Sequence, residues 1–105
     1  MLNQINLIGH VGHTPESDSS KNGKPFTRFS IAVNDQINKD EVQWFNCVAF
    51  GGRGEYIAKY ISKGAKVYIE GKMKSKMFDN GMSSEEKWRV MVDKVILLEK
   101  KNESK

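Results

Sequence analysis

One change in the spacing of the apolar residues limits the folds that are open to this chain. Five segments alternate apolar and polar side chains, as β-strands with one buried face do: residues 3–11, 26–33, 42–50, 65–78 and 88–98. Between the third and fourth segments the spacing becomes helical, because Tyr56, Ile57, Tyr60 and Ile61 fall on one face of a helix. The sequence therefore predicts an all-β protein with one short helix.

Turn-forming residues separate these segments. Residues 12–25 collect Gly, Pro, Ser, Asp and Asn, residues 34–40 are polar, and both stretches are predicted to be loops. The glycine-rich run GGRG at residues 51–54 breaks the chain before the helix, and Gly64 ends the helix. The tripeptide Asp-Asn-Gly at residues 79–81 predicts a β-hairpin between the last two strands.

A single helix between the third and fourth of five strands is the layout of the OB-fold, a partly open, five-stranded Greek-key barrel. OB-folds bind oligonucleotides or oligosaccharides on the face of their second and third strands and in two flanking loops. The chain has 105 residues, which is enough for one such domain. We therefore expect one OB-fold domain at residues 1–100, followed by a short polar tail at residues 101–105.

Charge and composition restrict the environment of the protein. The net charge is +4 at pH 7, which hints at an anionic partner such as a nucleic acid. The single cysteine, Cys47, excludes an intrachain disulfide and suits a reducing compartment. The first residues do not form a signal peptide, and no apolar stretch approaches the length of a membrane span. We therefore expect a cytoplasmic protein without a membrane partner.

The segment KMKSKMF at residues 72–78 points to the chemistry of the anionic partner. Side chains alternate across a strand, so Lys72, Lys74, Lys76 and Phe78 share one face. Cations beside an aromatic ring suit a polyanion whose bases are free to stack, and single strands offer such bases whereas duplexes hide them. The alternative interpretation is a solvated edge strand whose lysines prevent aggregation.

Further aromatic residues lie among cations on other strands. Trp44 and Phe50 share one face of the third strand, Phe45 lies on the other, and a small barrel needs only one apolar face. A ring alone is more typical of a core, but rings among cations are typical of single-strand binding, where each stacked base contributes roughly 1–3 kcal/mol. Arg53 either reaches a phosphate or is solvated, and Trp88 belongs either to the core or to the DNA contact. The candidate DNA-binding residues are Arg28, Trp44, Phe50, Arg53, Lys72, Lys74, Lys76, Phe78, Lys87 and Trp88.

Four segments between residue 2 and about residue 99 carry a family resemblance: LNQINLIGHVG, FTRFSIAVN, WFNCVAFG and EYIAKYISKGAKVYIEGKMKSKMF. They resemble the bacterial-type single-stranded DNA-binding proteins, which coat exposed single strands in replication, recombination and repair. The resemblance implies base stacking on Trp44, Phe50 and Phe78, backbone contacts from the lysines of residues 72–76, and Arg28 lining the same groove. It also implies association with the nucleoid and a homotetramer, with a dimer as the alternative.

The chain departs from this family pattern in several places. Ile37 stands where the family has a stacking aromatic in the loop after the second strand, and Phe78 stands where tryptophan is frequent. Cellular members end in a flexible linker and an acidic tip that recruits partner proteins, whereas this chain ends in KKNESK. Recruitment through such a tip is therefore not expected. From this ending we expect either a shortened form or a compact member from a phage or mobile element.

Residues suited to catalysis or metal binding are sparse. His10, His13 and Cys47 lack the paired spacing of zinc ligands, and residues 51–54 lack the Lys-Ser/Thr ending of a phosphate-binding loop. Cys47 lies in an apolar strand, which predicts an inert buried thiol. We therefore expect neither enzymatic activity nor a cofactor or metal.

Two other OB-fold functions compete with single-strand DNA binding. A dimeric primosomal protein, which holds a replication-restart complex together, has a similar length and also lacks an acidic tail. An RNA-binding domain of the cold-shock type has aromatic motifs that are absent here and has no comparable helix. Comparison of binding to oligo-dT and to oligo-rU separates these functions.

Overall fold

Six strands and one helix form the part of the chain that the structure, a computed structural model, describes, namely residues 1–79 and 81–100. The prediction of an all-β protein with one short helix is confirmed. The elements are β1 (Ile5–Val11), β2 (Glu16–Ser19), β3 (Pro25–Asn34), β4 (Val42–Phe50), α1 (Gly51–Tyr60), β5 (Lys66–Asp79) and β6 (Ser84–Glu99). The predicted tail at residues 101–105 and the middle residue of the predicted hairpin turn, Asn80, lie outside the described residues.

Five of the strands close into a barrel. β1 pairs with both β3 and β5, β5 pairs with β6, and β3 pairs with β4, all antiparallel. A short parallel pairing between β4 and β6, at Cys47↔Val90 and Val48↔Met91, completes the ring. With α1 between β4 and β5, this is the predicted OB-fold, and α1 stands between the third and fourth strands of the barrel.

The loop predicted at residues 12–25 contains a strand that the sequence did not reveal. β2 is four residues long, and it pairs with the start of β3 from Glu16↔Arg28 to Ser19↔Pro25. All four of its side chains are exposed, so β2 has no apolar alternation for sequence analysis to detect. The prediction of five strands was therefore one strand short, because β2 extends the barrel sheet at its edge.

Two element boundaries also differ from the prediction. The glycines at residues 51–54 do not break the chain, since α1 begins at Gly51 and includes them. Gly54 is buried, and a Cβ there would lie 2.6 Å from the carbonyl oxygen of Ala49, so close packing on β4 requires a glycine. β6 begins at Ser84 and not at Trp88, which lengthens the hairpin that it forms with β5.

The core lies inside the barrel and under α1. Its largest fully buried side chains come from every part of the ring: Val11, Ile31, Cys47, Ile57, Val67, Ile69 and Val90. A buried hydrogen bond, which Thr27 Oγ1 donates to the carbonyl of Gly54 at 2.9 Å, attaches α1 to β3. The β5–β6 register shifts between Glu70 and Gly71, which marks an irregularity in the long hairpin. Among the described residues, no helix has the length and apolar character that a membrane crossing requires.

Candidate nucleic-acid interface

The pairing of β3 with β4 shows which aromatic side chains face outward. The inner face of these strands contributes buried side chains to the core, including Phe29, Ile31 and Ala49. Trp44 lies on the opposite face, and 57% of its surface is exposed. The residues of this outer face, Trp44 included, form four cross-strand pairs: Phe26↔Phe50, Arg28↔Val48, Ser30↔Asn46 and Ala32↔Trp44.

The outer face continues without interruption onto the long hairpin of β5 and β6. Val48 of β4 pairs with Met91 of β6, and Met91 pairs with Lys72 of β5, so these three side chains share one face. Alternation along the two hairpin strands adds further cations and one ring to that face. The pairs are Lys74↔Arg89, Lys76↔Lys87 and Phe78↔Glu85.

A groove of about 510 Å³ lies between this hairpin and the strands β3 and β4. Four of the predicted DNA-binding residues line it: Arg28, Phe78, Lys87 and Trp88. Residues of the loop before β2 close one side, and the buried residues Ser30 and Val48 also contribute to its lining. Trp44, Phe50 and the lysines of residues 72–76 lie on the same outer face but do not line the groove itself.

Trp44 is held in place at its edges, although its ring remains exposed. Its ring centroid lies 6.2 Å from that of His13, and Nδ1 of His13 makes a 2.8 Å hydrogen bond with Oγ of Ser30. A Cβ on Gly12 would collide with the ring of Trp44, so a larger residue there would displace this ring. Sequence analysis considered His13 only as a metal ligand, because the loop that brings it to Trp44 has no periodic pattern.

Phe50 forms a pair with Phe26, a residue that sequence analysis did not select. The two ring centroids are 5.6 Å apart, and the guanidinium of Arg28 lies 5.9 Å from the centroid of Phe26. Phe26 has the same strand phase as Arg28, and this signal was sufficient to place it on the same outer face. The pair provides a broad aromatic surface at the end of β4.

Phe78 lies between two cations on the hairpin. The ammonium groups of Lys76 and Lys87 are 5.8 Å and 5.4 Å from its ring centroid, within the range of cation–π attraction. The Lys87 ammonium also lies 3.8 Å from a carboxylate oxygen of Glu85. The ring is 44% exposed and available for stacking.

Two predicted site residues occupy different positions from the rest. Trp88 pairs with Ser75, so it lies on the hairpin face opposite the cations, and it is 54% exposed and therefore not a core residue. Arg53 lies on α1 beside a second cavity of about 380 Å³, whose lining includes Tyr56 and Lys94. The structure therefore does not bring Arg53 into the main groove.

Other sequence-based expectations can be compared with the structure. Burial raises the pKa of the Cys47 thiol to about 12, in agreement with an inert thiol. Phe45, on the other face of β4 from Trp44, is half-buried and packs against the core of its own chain.

Ile37 lies in a turn and is 96% exposed. In this turn the Asp35 carboxylate accepts hydrogen bonds from the backbone N–H groups of Asn38 and Ile37, and these bonds lower the pKa of Asp35. Within residues 1–79 and 81–100, no three potential ligands are grouped to hold a metal ion.

Two carboxylates of β2 lie close to Arg28 at the edge of the groove. Its guanidinium is 3.6 Å from Glu16 and 3.8 Å from Asp18, and all three side chains are exposed. An incoming phosphate would compete with these carboxylates for the same cation. Since an exposed ion pair is worth roughly 0.2–1 kcal/mol, we expect Glu16→Gln with Asp18→Asn to raise affinity for oligo-dT by roughly 2- to 10-fold.

The matched control for this prediction is Glu55→Gln with Glu99→Gln, which removes the same charge from residues that do not line the groove. Titration of a labelled oligo-dT at low salt measures all three proteins. An equal gain from both double variants would mean that net charge, and not the contact with Arg28, determines the effect.

Comparison with known proteins agrees with this geometry. Residues 2–98 match the model of the single-strand binding protein family. A single-stranded DNA-binding protein of Onion yellows phytoplasma is 36% identical, over 98% of this chain and 100% of the relative. One from Clostridium perfringens is 37% identical over 74% of this chain, but only 53% of that relative is covered, so the chain spans about half its length.

A solved structure also resembles this chain. The "Plasmodium falciparum SSB complex with ssDNA" superimposes with a TM-score of 0.83, covering 94% of this chain and 96% of that one. At 24% sequence identity this likeness confirms the OB-fold. The match to the family model over residues 2–98, together with the phytoplasma relative, establishes that the chain belongs to the single-strand binding protein family.

Proposed function

We propose that the protein coats and protects single-stranded DNA that is exposed in replication, recombination or repair, without preference for sequence. Membership of the family supports single-stranded DNA as the ligand. The observation that carries the proposal for this chain is the continuous outer face of β3, β4 and the hairpin, where exposed rings alternate with cations. Such a face suits a strand whose bases are unpaired, because base stacking requires a free ring face.

The proposed mechanism divides the work between rings and cations. Bases stack on Trp44, Phe50 and Phe78, while phosphates contact Arg28 and the lysines of the hairpin. Trp44 and Phe50 are six residues apart on β4 and therefore roughly 20 Å apart along the strand, which suits different bases of an extended chain. Stacking tolerates every base, since each has a π-face, and this accounts for the lack of sequence preference.

We further propose that the protein acts as a binding protein and not as a catalyst, in the cytoplasm where the nucleoid exposes single strands. The positions of the cations and rings on the outer face account for binding and require no chemical step. Arg53 takes part only if the strand extends beyond the groove, because it lies on α1, whereas Trp88 lines the groove from the other hairpin face.

The outer face of β1, β5 and β6 supports the proposal of a homotetramer. Ile8 pairs with Tyr68, which pairs with Ile96, and the two isoleucines are 52% and 41% exposed. Tyr68 is oriented by two hydrogen bonds: its hydroxyl donates to Glu70 at 2.8 Å and accepts from Asn6 at 3.0 Å. The bond to Glu70 raises the pKa of Tyr68, so the hydroxyl remains protonated at neutral pH. This apolar row is a suitable surface for a second copy of the chain.

Salt dependence tests the role of the lysines. Replacing Lys72, Lys74 and Lys76 together with glutamine should flatten the slope of log affinity for oligo-dT against log salt. Each lost phosphate contact on a single strand reduces the slope by about 0.7, so we expect a change between about 0.7 and 2. An unchanged slope together with an unchanged affinity would remove the lysines of the hairpin from the binding site.

The same titration distinguishes this function from its competitors. We expect tighter binding to oligo-dT than to oligo-rU. Stronger binding to oligo-rU would favour an RNA-binding domain, and the absence of binding to either would favour an interaction module of the primosomal kind.

A further inference from the structure

The hairpin places like charges directly opposite each other. Lys74 pairs with Arg89 and Lys76 pairs with Lys87 on the outer face. Directly opposed side chains have Cβ atoms about 4.5–5.5 Å apart, and like charges in such positions repel and destabilise the sheet. Two successive like-charged rows are therefore unfavourable in the free protein, unless an anion occupies the space above them.

Arg89 provides a second, independent observation. Among the described residues, its Nε is a buried side-chain nitrogen without a hydrogen-bond partner, although the residue lines the groove. A guanidinium has several N–H donors in a fixed plane and binds phosphate oxygens in pairs. No acceptor in the described part of the chain reaches this Nε, which is shielded from solvent, so the guanidinium turns toward the groove when it shares a bound phosphate.

From these two observations we infer that each like-charged row binds one phosphate of the single-stranded DNA, and that both cations of the row share this phosphate. The first row consists of Lys74 and Arg89, and the second consists of Lys76 and Lys87. Arg89 thereby becomes a phosphate-binding residue of the groove. This inference rests on the proposed function, since it specifies how the same site holds the DNA backbone.

The geometry of the strands makes the two rows separate sites. Residues two apart along a strand are about 6.5 Å apart, so the rows are far enough apart to hold successive phosphates of an extended chain. Within a row the two cations are close enough to converge on one phosphate. Lys76 and Lys87 also flank Phe78, so the second row would hold a phosphate next to a stacked base. The nearby Glu85 shares the Lys87 charge and weakens that row, which makes the row of Lys74 and Arg89 the stronger one.

The inference has a distinct consequence for pairs of substitutions. If either cation of a row can hold the phosphate, Lys74→Gln or Arg89→Gln alone should weaken oligo-dT binding only about 2-fold. Together they abolish one phosphate contact, and the salt slope should fall by about 0.7. We expect the loss of affinity for this row variant to be at least 10-fold at low salt, well above the product of the single effects.

The matched control, Lys74→Gln with Lys76→Gln, removes the same charge as the row variant but takes both cations from β5; we call it the column variant. It leaves one cation in each row, so the affinity should fall by no more than the product of the single effects, with little change in slope. A column variant that loses as much affinity and slope as the row variant, or additive effects within the row, would overturn the inference.

Two further measurements keep the test decisive. Lys76→Gln with Lys87→Gln affects the second row, and since both side chains are exposed it should fold even if the Arg89 variant does not. It should show the same coupling, and additive effects there would contradict the inference. If the unsubstituted protein does not bind oligo-dT, the proposed function fails; if it binds and the rows are uncoupled, only this inference fails.

Discussion

Replacing Trp44 with alanine should weaken binding to oligo-dT by roughly 1–3 kcal/mol, because the variant loses a ring on which a base stacks. Each 1.4 kcal/mol corresponds to a tenfold change in affinity, so the loss should be readily measured. The thermal midpoint should remain close to that of the unsubstituted protein. Trp44 is 57% exposed on the outer face and does not belong to the core, so its removal creates no buried cavity.

Phe45→Ala is the matched control for Trp44→Ala, since it removes a ring from the neighbouring residue on the opposite face. Phe45 packs against the core, so its loss should lower the thermal midpoint while the folded fraction still binds oligo-dT. Thermal melts and titrations of both variants distinguish the two roles. A Trp44→Ala protein that unfolds, or that remains folded with unchanged affinity, would refute the stacking role.

Breaking the proposed contact between subunits should have the largest effect on affinity. Ile8→Lys with Ile96→Lys introduces charges into the exposed apolar row of β1, β5 and β6 and should prevent tetramer formation. Linked binding sites can raise affinity by 10²–10⁴-fold, so a long oligo-dT that spans several grooves should bind more weakly by about that factor. A short oligo-dT that occupies one groove should bind with nearly unchanged affinity.

Sedimentation at micromolar concentration measures the assembly directly. The unsubstituted protein should sediment as a tetramer, and the double variant as a smaller species. Ile37→Lys is the matched control, because it changes an exposed isoleucine in the loop between β3 and β4 and should leave the assembly intact. A monomeric unsubstituted protein, or a variant that still forms tetramers, would show that this surface does not join the subunits.

Strand periodicity predicted the barrel because each of its five strands buries one face. Ile5, Leu7 and Val11 share the inner side of β1, and Phe29, Ile31 and Val33 share that of β3. β2 could not be found in this way, since it buries none of its side chains and is held by its pairing with β3. The start of α1 was misplaced for a related reason: glycine has low helix propensity, but the packing of Gly54 against β4 outweighs it.

The candidate site was predictable within a strand but not between strands. The spacing of Trp44 and Phe50 placed them on one face, yet both faces of β4 carry a ring, and only the packed barrel shows which one is outside. The carboxylates beside Arg28 come from β2, which sequence analysis read as a loop. The pairing of Lys74 with Arg89 depends on the register of a hairpin that starts four residues earlier than predicted, at Ser84 and not Trp88.

Fluorescence of Trp44 provides the most direct test of the central claim, that bases stack on the outer face of β3 and β4. The protein has two tryptophans, so Trp88→Phe leaves Trp44 as the only tryptophan. Addition of oligo-dT should quench this fluorescence in a saturable manner, at the same concentrations at which the anisotropy of a labelled oligo-dT rises. Binding seen by anisotropy without any change in Trp44 fluorescence would contradict the account.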